Sequence, residues 1–148
     1  MFQASEAIER FFRTFEANAS NHNPDAQVSQ FADVFMAASP HGVQTVRTAD
    51  FAVALPKKKQ FFDRMGCRST QLVSLHEKRL DTRYVLAGTK WKMTFDRPDI
   101  TPQEVEVESV YIVDTGGKDA PPENARIVFY LANQDLMQIV KERGLIPA

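Results

Sequence analysis

The sequence lacks features that mark several large classes of protein. Cys67 is the one cysteine among 148 residues, so an intrachain disulfide is excluded and nothing requires an oxidising compartment. No apolar run is long enough to span a membrane. The net charge is only −1 at pH 7, which argues against a general binder of nucleic acid or of anionic membranes. The histidines, His22, His41 and His76, show no metal-ligand spacing, so we expect neither a metal nor another cofactor.

What remains is an ordinary globular composition. Hydrophobic residues make up 43% of the chain and charged residues 25%, and the length suits one domain with a substantial core, which we assign to residues 1–148. The first residues lack the basic start and the apolar segment of a secretory signal, so we expect a cytoplasmic protein.

Alternation of residue types predicts two neighbouring strands, Arg83–Phe95 and Glu104–Val113. Between them lies a turn that contains two prolines, which cannot donate to a β-ladder. Antiparallel pairing about Asp99 sets lysines opposite glutamates on one face and apolar groups opposite each other on the other face. The expected pairs are Lys90 with Glu108, Lys92 with Glu106, Trp91 with Val107 and Met93 with Val105. A slip of one residue would turn every side chain to the wrong face, so this register is strongly specified.

Further along the same two strands, the charged face becomes apolar. Its residues there are Leu86, Gly88, Val110 and Ile112. Soluble monomers usually avoid a contiguous exposed apolar patch, so we expect a homodimer formed through this outer face. The alternative is that the C-terminal helix folds back and covers the patch within one chain, using Leu136, Ile139 and Val140.

Helical spacing and capping signals predict the other elements. The first helix, Ala4 to about Asn18, carries a phenylalanine stripe that reads as core or as the wall of a ligand pocket. A second helix starts at Pro24 with Asn23 as its cap and takes its apolar face from residues up to Ala32. The remaining predictions are a hairpin of Phe35–Ser39 and Val43–Val46, a helix capped by Thr48 that Pro56 kinks or splits, strands over Thr70–Glu77 and Arg126–Ala132, and a last helix capped by Asn133 and stopped by Gly144.

Three consecutive lysines, Lys57, Lys58 and Lys59, follow Pro56. If a new helix begins at Pro56, they lie at its positive end, which is locally unfavourable. A solvated face is one interpretation of this run, and an anion site is the other.

This order of elements predicts an α+β protein in which a strongly curved, mostly antiparallel sheet wraps around N-terminal helices. Nearly the whole chain resembles the nuclear-transport-factor-2-like (NTF2-like) superfamily, and in particular its SnoaL-like members. The resemblance rests on Phe31–Val34 at the expected end of the second helix, on Ser39–Gly42 at the first hairpin, and on the last strand running into Asn133–Leu136. It implies a cone-shaped α+β roll, often with an apolar hollow at its open end and often dimeric through the sheet.

The resemblance also implies a test for enzyme chemistry, because ketosteroid-isomerase-like members place an aspartate base before the hairpin proline and a tyrosine on the first helix. Here Ser39 precedes Pro40, and the matching part of the first helix carries phenylalanines. A serine hydroxyl has no useful basicity without a partner base, so we expect no steroid isomerase activity.

Two functions remain open. The first is a binding or assembly domain that dimerises and holds a small apolar or aromatic ligand in the hollow. The residues expected to bind that ligand are Trp91, Met93, Tyr111, Ser109, Ser39 and Phe15. The same positions also suit a simply filled core. The second function is an isomerase, dehydratase or cyclase with a non-standard site, in which Tyr111, Tyr130, His41 or Asp135 acts in an unassigned role.

Overall fold

The computed structural model describes residues 2–21 and 23–146, so the inference about His22 lies outside the described residues. The helices are α1 (Glu6–Ser20), α2 (Pro24–Val28), α3 (Thr48–Arg64) and α4 (Leu136–Glu142). The strands are β1 (Phe2–Gln3), β2 (Phe31–Ser39), β3 (Gly42–Arg47), β4 (Cys67–Arg79), β5 (Tyr84–Phe95), β6 (Gln103–Asp114) and β7 (Arg126–Ala132). Within the described part of the chain, no helix is long and apolar enough to cross a membrane.

The strands form one open, curved sheet in the order β1-β4-β5-β6-β7-β2-β3. Most neighbours are antiparallel, and the parallel pairs are β1 with β4 and β2 with β7. The predicted α+β class is confirmed. Strand β1 was not predicted, because two residues are too few to show an alternating pattern.

The predicted register of β5 and β6 is confirmed at every position named above. The inner face of β5, which carries Trp91, is buried, and the outer face is partly exposed. On the outer face, Lys90 Nζ lies 3.9 Å from Glu108, its direct partner. Lys92 Nζ lies 3.6 Å from Glu104, which is diagonal to it rather than opposite. These exposed pairs favour the register but contribute only modestly to stability.

The N-terminal elements follow their capping signals, with one correction. Ser5 caps α1 by accepting a hydrogen bond from Ile8 N, and Asn23 caps α2 by accepting one from Ala26 N. Helix α2 ends at Val28, and Phe31–Val34 begin strand β2 instead of ending the helix. Phe31 pairs with Ile127 of β7 and is buried in the core, so tertiary pairing overrides the local helical spacing.

Helix α3 is continuous through Pro56, so the predicted split is wrong. Leu55 and Phe62 on either side of the proline are buried, and their packing holds the helix together across the missing backbone donor. The helix ends before Gly66, whose φ of 87° suits glycine. A Cβ at Gly66 would lie 2.7 Å from the Asp96 carbonyl oxygen, so a side chain would also collide there.

Helix α4 is capped by Asp135, which accepts a hydrogen bond from Gln138 N, and not by Asn133 as predicted. Asn133 N donates instead to Glu108 O. Val140 is buried in a cluster with Met93 and other residues of the sheet's inner face. The alternative in which α4 covers the outer apolar face is therefore wrong, because its apolar stripe packs against the opposite face.

The inner face carries two hydrophobic clusters. The first joins α1 to the middle of the sheet and contains Ile8, Phe12 and Phe15 with Trp91 and Tyr111. The second joins the end of α3 and α4 to Met93, Phe95 and Val105. The helices thus cover both ends of the inner face.

Candidate functional site

A row of hydroxyl groups crosses the inner face of β5 and β6. The indole Nε1 of Trp91 donates to Thr89 Oγ1 at 2.8 Å. Thr89 Oγ1 lies 2.8 Å from Ser109 Oγ and donates to the Ser109 carbonyl oxygen at the same distance. Ser109 Oγ donates to the Tyr111 hydroxyl at 3.4 Å. The four side chains meet because alternate residues of two strands in this register point to the same face.

The Tyr111 hydroxyl is the end of this row. Burial raises the pKa of Tyr111 well above its ordinary value, and the neighbouring Tyr130 raises it further. Burial also raises the pKa of Tyr130. Both phenols therefore stay protonated at physiological pH and can act as hydrogen-bond donors. The Ser109 hydroxyl has one proton, so it donates either to Thr89 or to Tyr111. When it donates to Tyr111, the phenolic proton of Tyr111 remains available for another acceptor.

Aromatic rings surround the row. The Phe15 ring centroid lies 5.8 Å from that of Trp91 and 5.7 Å from that of Tyr111. The ring centroids of Phe12 and Tyr130 each lie 5.2 Å from that of Tyr111. Partly exposed apolar residues border the cluster, among them Ala37, Val46, Phe51, Val107 and Tyr130. The row is thus enclosed by aromatic rings, since Phe15, Trp91 and Tyr111 are 9%, 5% and 4% exposed, and Tyr111 lies beside the partly exposed Tyr130.

The structure brings together four of the six residues expected to bind the ligand: Phe15, Trp91, Ser109 and Tyr111. Met93 lies on the same face of β5 but packs in the second cluster, under α4. Ser39 is exposed at the end of β2. Its Oγ accepts a hydrogen bond from His41 N at 3.2 Å, so it belongs to the hairpin turn and not to the buried row.

A second polar group forms where the β2–β3 hairpin meets α4. His41 Nε2 lies 2.6 Å from Asp135 Oδ2, and this contact holds the pKa of Asp135 below its ordinary value. The histidine side chain is 75% exposed. Ser39 meets the backbone of His41 and not its ring, so the three residues do not form the hydroxyl–imidazole–carboxylate relay of a nucleophilic site.

The lysine run lies in the interior of α3 and not at a helix start, so the dipole argument for an anion site does not apply. Lys57 and Lys58 are exposed, and Lys59 Nζ lies 2.7 Å from Asp63 Oδ1 one turn later. Among residues 2–21 and 23–146, no group of three or more histidine, cysteine or acidic side chains could hold a metal ion.

Two surface clefts lie away from the inner-face row. One, of about 540 Å³, lies between α1 and the edge of β4 and includes Arg13, Glu16 and Leu72. Glu16 accepts from Leu72 N at 2.6 Å and pairs with Arg13 at 3.1 Å, so its charged groups already have partners. The other, of about 440 Å³, lies at the N-terminal end of α1.

Sequence reasoning missed Thr89 as the centre of the hydroxyl row. Thr89 lies two residues before Trp91, so the alternation along the strand places both side chains on the inner face, and this was the signal in the sequence. Its contact with Ser109 depends on the cross-strand register. Sequence reasoning also missed the contact of His41 with Asp135, because these residues are distant in the chain and only the packing of α4 brings them together.

No protein-family model and no curated protein matches the chain. Solved structures match at low identity. Aln2 from a Streptomyces species is 10% identical with a TM-score of 0.70, over 94% of this chain and 99% of that one. An NTF2-like protein with a cystatin-like fold from Novosphingobium aromaticivorans is 14% identical with a TM-score of 0.68, over 97% and 88%.

The beta subunit of the benzoate 1,2-dioxygenase from Burkholderia mallei is 16% identical with a TM-score of 0.65, over 94% of this chain and 96% of that one. At such identities the likeness concerns the fold, which hosts many unrelated functions. The chain therefore has the NTF2-like, cystatin-like α+β fold that the sequence resemblance implies.

Proposed function

We propose that the protein is a homodimeric binding domain that holds a small aromatic or apolar molecule on the inner face of its sheet. The observation that carries this proposal is the row of hydroxyls ending at Tyr111, inside an aromatic cluster. An acceptor on the ligand, such as a carbonyl oxygen, takes the phenolic proton of Tyr111, and the ligand's apolar body contacts the rings.

The row is more elaborate than core packing requires. Thr89 and Ser109 are each only 5% exposed, and burying a hydroxyl costs free energy unless it is hydrogen-bonded. Apolar residues of similar size at both positions would pack without that requirement. A buried row of hydroxyls that orients one phenol is an arrangement that can select a polar atom on an otherwise apolar ligand.

The dimer is supported by the outer face of the sheet. The strand pairing places apolar outer-face residues of β7 and β2 beside the predicted patch on β5 and β6. Its members are Leu86, Gly88, Val110, Ile112, Phe129, Leu131, Met36 and Ala38. They are partly or fully exposed, and Met36 is 44% exposed. Since α4 packs on the inner face, the patch suits a second copy of the chain related by a two-fold axis.

One structural neighbour supports a role in assembly. The Burkholderia mallei protein is a subunit of a larger enzyme, so in that protein this fold serves within an assembly. We take this as support for a role in association and not as a sign of dioxygenase activity.

The alternative is an enzyme of the isomerase, dehydratase or cyclase type. It is favoured by one observation, the 2.6 Å contact of His41 with Asp135. We rank it second because His41 is largely exposed and a catalytic acid–base pair works best where water is excluded.

Ligand binding can be measured through Trp91, which is the only tryptophan and is 5% exposed. Acetophenone, an aromatic ring with one carbonyl acceptor, should quench or shift its fluorescence in a saturable titration. Tyr111→Phe should weaken binding about fivefold, as the loss of one hydrogen bond to a neutral acceptor does. Unchanged emission up to millimolar acetophenone would disprove the proposal.

The matched control is Tyr84→Phe, the same change on β5 at a partly exposed position on the outer face. It should leave the affinity unchanged. If both variants weakened binding equally, the ligand would not contact Tyr111, and the assignment to the inner face would be wrong.

A further inference from the structure

The cleft of about 440 Å³ at the N-terminal end of α1 has a composition unlike that of the inner face. It is bordered by the first turns of α1, the β4–β5 turn and the loop after β6. Its lining consists of Ser5, Ala7, Ile8, Phe11, Arg79, Thr82, Thr115, Gly117, Lys118, Ala120, Pro122 and Ala125. This volume lies within the roughly 300–1,000 Å³ typical of small-molecule sites.

The floor of the cleft is apolar. Ile8 and Ala125 are 4% and 6% exposed, and both belong to the first core cluster. Phe11 packs against the same cluster and is only half-buried. The apolar surface at the bottom is therefore supported by the rigid core and does not depend on a mobile segment.

The charged residues that line the cleft are both cationic, Arg79 and Lys118. Arg79 Nη1 donates to the Asp81 carbonyl oxygen at 3.1 Å, and neither cation forms an ion pair with another described residue. The exposed acids Asp119 and Glu123 lie on the same loop but do not line the cleft.

The other acids around the cleft already have donors. Asp81 accepts from Arg83 N and Tyr84 N, each at 2.7 Å. Asp114 accepts two bonds from the Arg83 guanidinium, and Glu77 accepts from Ser5 N. Arg79 lies close enough to Asp81 to contribute to the lowered pKa of that carboxyl, and the charges that line the cleft itself are the cations Arg79 and Lys118.

The lining also includes residues with hydroxyl groups, Ser5, Thr82 and Thr115. Ser5 Oγ accepts from Ile8 N at 3.4 Å, which leaves its own proton free to donate. Thr115 Oγ1 donates to Arg83 O at 2.7 Å and so fixes the start of the loop that carries Lys118. An apolar floor with cationic and hydroxyl donors at its margin suits a molecule with an apolar body and one anionic end.

We propose that this cleft binds a small monocarboxylate with an apolar body, either aliphatic or aromatic. The carboxylate lies between Arg79 and Lys118, and the hydrocarbon rests on Ile8, Phe11 and Ala125. This site is separate from the inner-face row, and it does not depend on the function proposed above.

The test is a titration of the ¹⁵N-labelled full-length chain with sodium octanoate, followed by amide chemical shifts, with 1-octanol as the uncharged counterpart. Octanoate should shift the amides of Ile8, Thr115 and Lys118 and should bind at least about threefold more tightly than octanol. Lys118→Ala and Arg79→Ala should each weaken octanoate about threefold, and together about tenfold, which is the scale of exposed ion pairs.

Ala7→Glu tests the preference for an anion by adding a negative charge to the cleft instead of removing a positive one. Ala7 lines the cleft and is exposed on α1, so glutamate keeps the helix and adds a repelling carboxylate. Octanoate binding should be lost while octanol binding remains. Lys57→Ala, which removes an exposed lysine from α3, should change nothing.

Equal affinity for octanoate and octanol would overturn the proposal, as would no binding at all. Octanoate-induced shifts confined to Trp91 and Tyr111 would also overturn it, and they would support the inner-face site instead. Failure of the acetophenone experiment leaves this inference standing, because the two probes report on different residues.

Discussion

Asp114 is held at the end of β6 by three hydrogen bonds. Arg83 Nε and Nη2 donate to its two oxygens at 2.7 and 2.9 Å, and Gly116 N donates at 2.9 Å. The guanidinium of Arg83 is the main reason that the pKa of Asp114 lies below its ordinary value. Because the carboxylate is only 20% exposed, this contact is better shielded from water than the other ion pairs of the sheet.

Replacing Asp114 with asparagine should therefore lower the free energy of unfolding at pH 7 by about 1 kcal/mol. The folded-state pKa lies below the unfolded one, so the stabilisation is fully present above the unfolded pKa, near 4. It is lost as the pH falls through the folded pKa. The difference in urea stability between the two proteins should be full at pH 7, should begin to shrink near pH 4, and should vanish only below the folded-state pKa.

Asp119→Asn is the control for this prediction, since Asp119 is exposed and forms no ion pair with another described residue. It should leave stability at pH 7 unchanged. A constant difference between wild type and Asp114→Asn down to strongly acidic pH would mean that the ionised pair is not its source.

At the scale of the element, helix α3 contains a proline in its interior. Pro56 is exposed, and its ring nitrogen cannot donate to the Ala52 carbonyl one turn earlier. The helix persists because Leu55, Phe62 and the following Met65 are buried, and the last two pack in the second cluster with residues of the sheet.

Pro56→Ala should restore the missing bond and raise the free energy of unfolding by about 2 kcal/mol. This is the helix-interior cost of proline, about 3 kcal/mol, less the entropy that proline removes from the unfolded chain. Chemical denaturation of both proteins measures the difference.

Pro122→Ala is the matched control, because Pro122 begins a short 3₁₀ turn where no backbone donor is needed. It should not stabilise the protein. A Pro56→Ala protein no more stable than the wild type would show that the helix is already relaxed around the proline.

At the scale of the whole molecule, the proposed dimer depends on the outer face of the sheet. Val110→Lys places a charge in the middle of the proposed interface and should convert a dimer into a monomer at micromolar concentration, as measured by sedimentation velocity. Thr94→Lys, on the same face of β5 but beside Glu104 at its charged end, should remain dimeric.

Gly88 gives a variant that the isolated chain tolerates. A Cβ there would come no closer than 3.9 Å to the His76 carbonyl oxygen, which is ordinary contact. Gly88→Val should leave the thermal stability of the monomer intact or raise it, and it should weaken the proposed dimer by adding a side chain in the proposed interface. A wild-type monomer, or a dimeric Val110→Lys, would rule this interface out.

Local pattern was enough for much of the fold. The period-two alternation over β5 and β6 set the register, because a slip of one residue would bury Lys90 and Lys92 and expose Trp91. Capping residues such as Asn23 and stop residues such as Gly144 marked helix ends, because capping hydrogen bonds and backbone conformation depend only on residues close in the sequence.

The predictions that were wrong concern segments whose structure is decided by contacts with distant parts of the chain. Phe31 reads as helical by spacing but pairs with β7, far along the chain, and joins the core. Helix α4 has an apolar stripe that would suit either face of the sheet, and only packing against Met93 and Val105 selects the inner one.

For the candidate site, the sequence alone determined which residues of β5 and β6 share the inner face, because side chains alternate along a strand. That was sufficient to group Trp91, Ser109 and Tyr111. Only the tertiary structure decided that Thr89 links them, that Ser39 stays in its turn, and that His41 meets Asp135. Those contacts depend on the position of one element over another to within an ångström or so, and such positions are set by packing summed over the whole core.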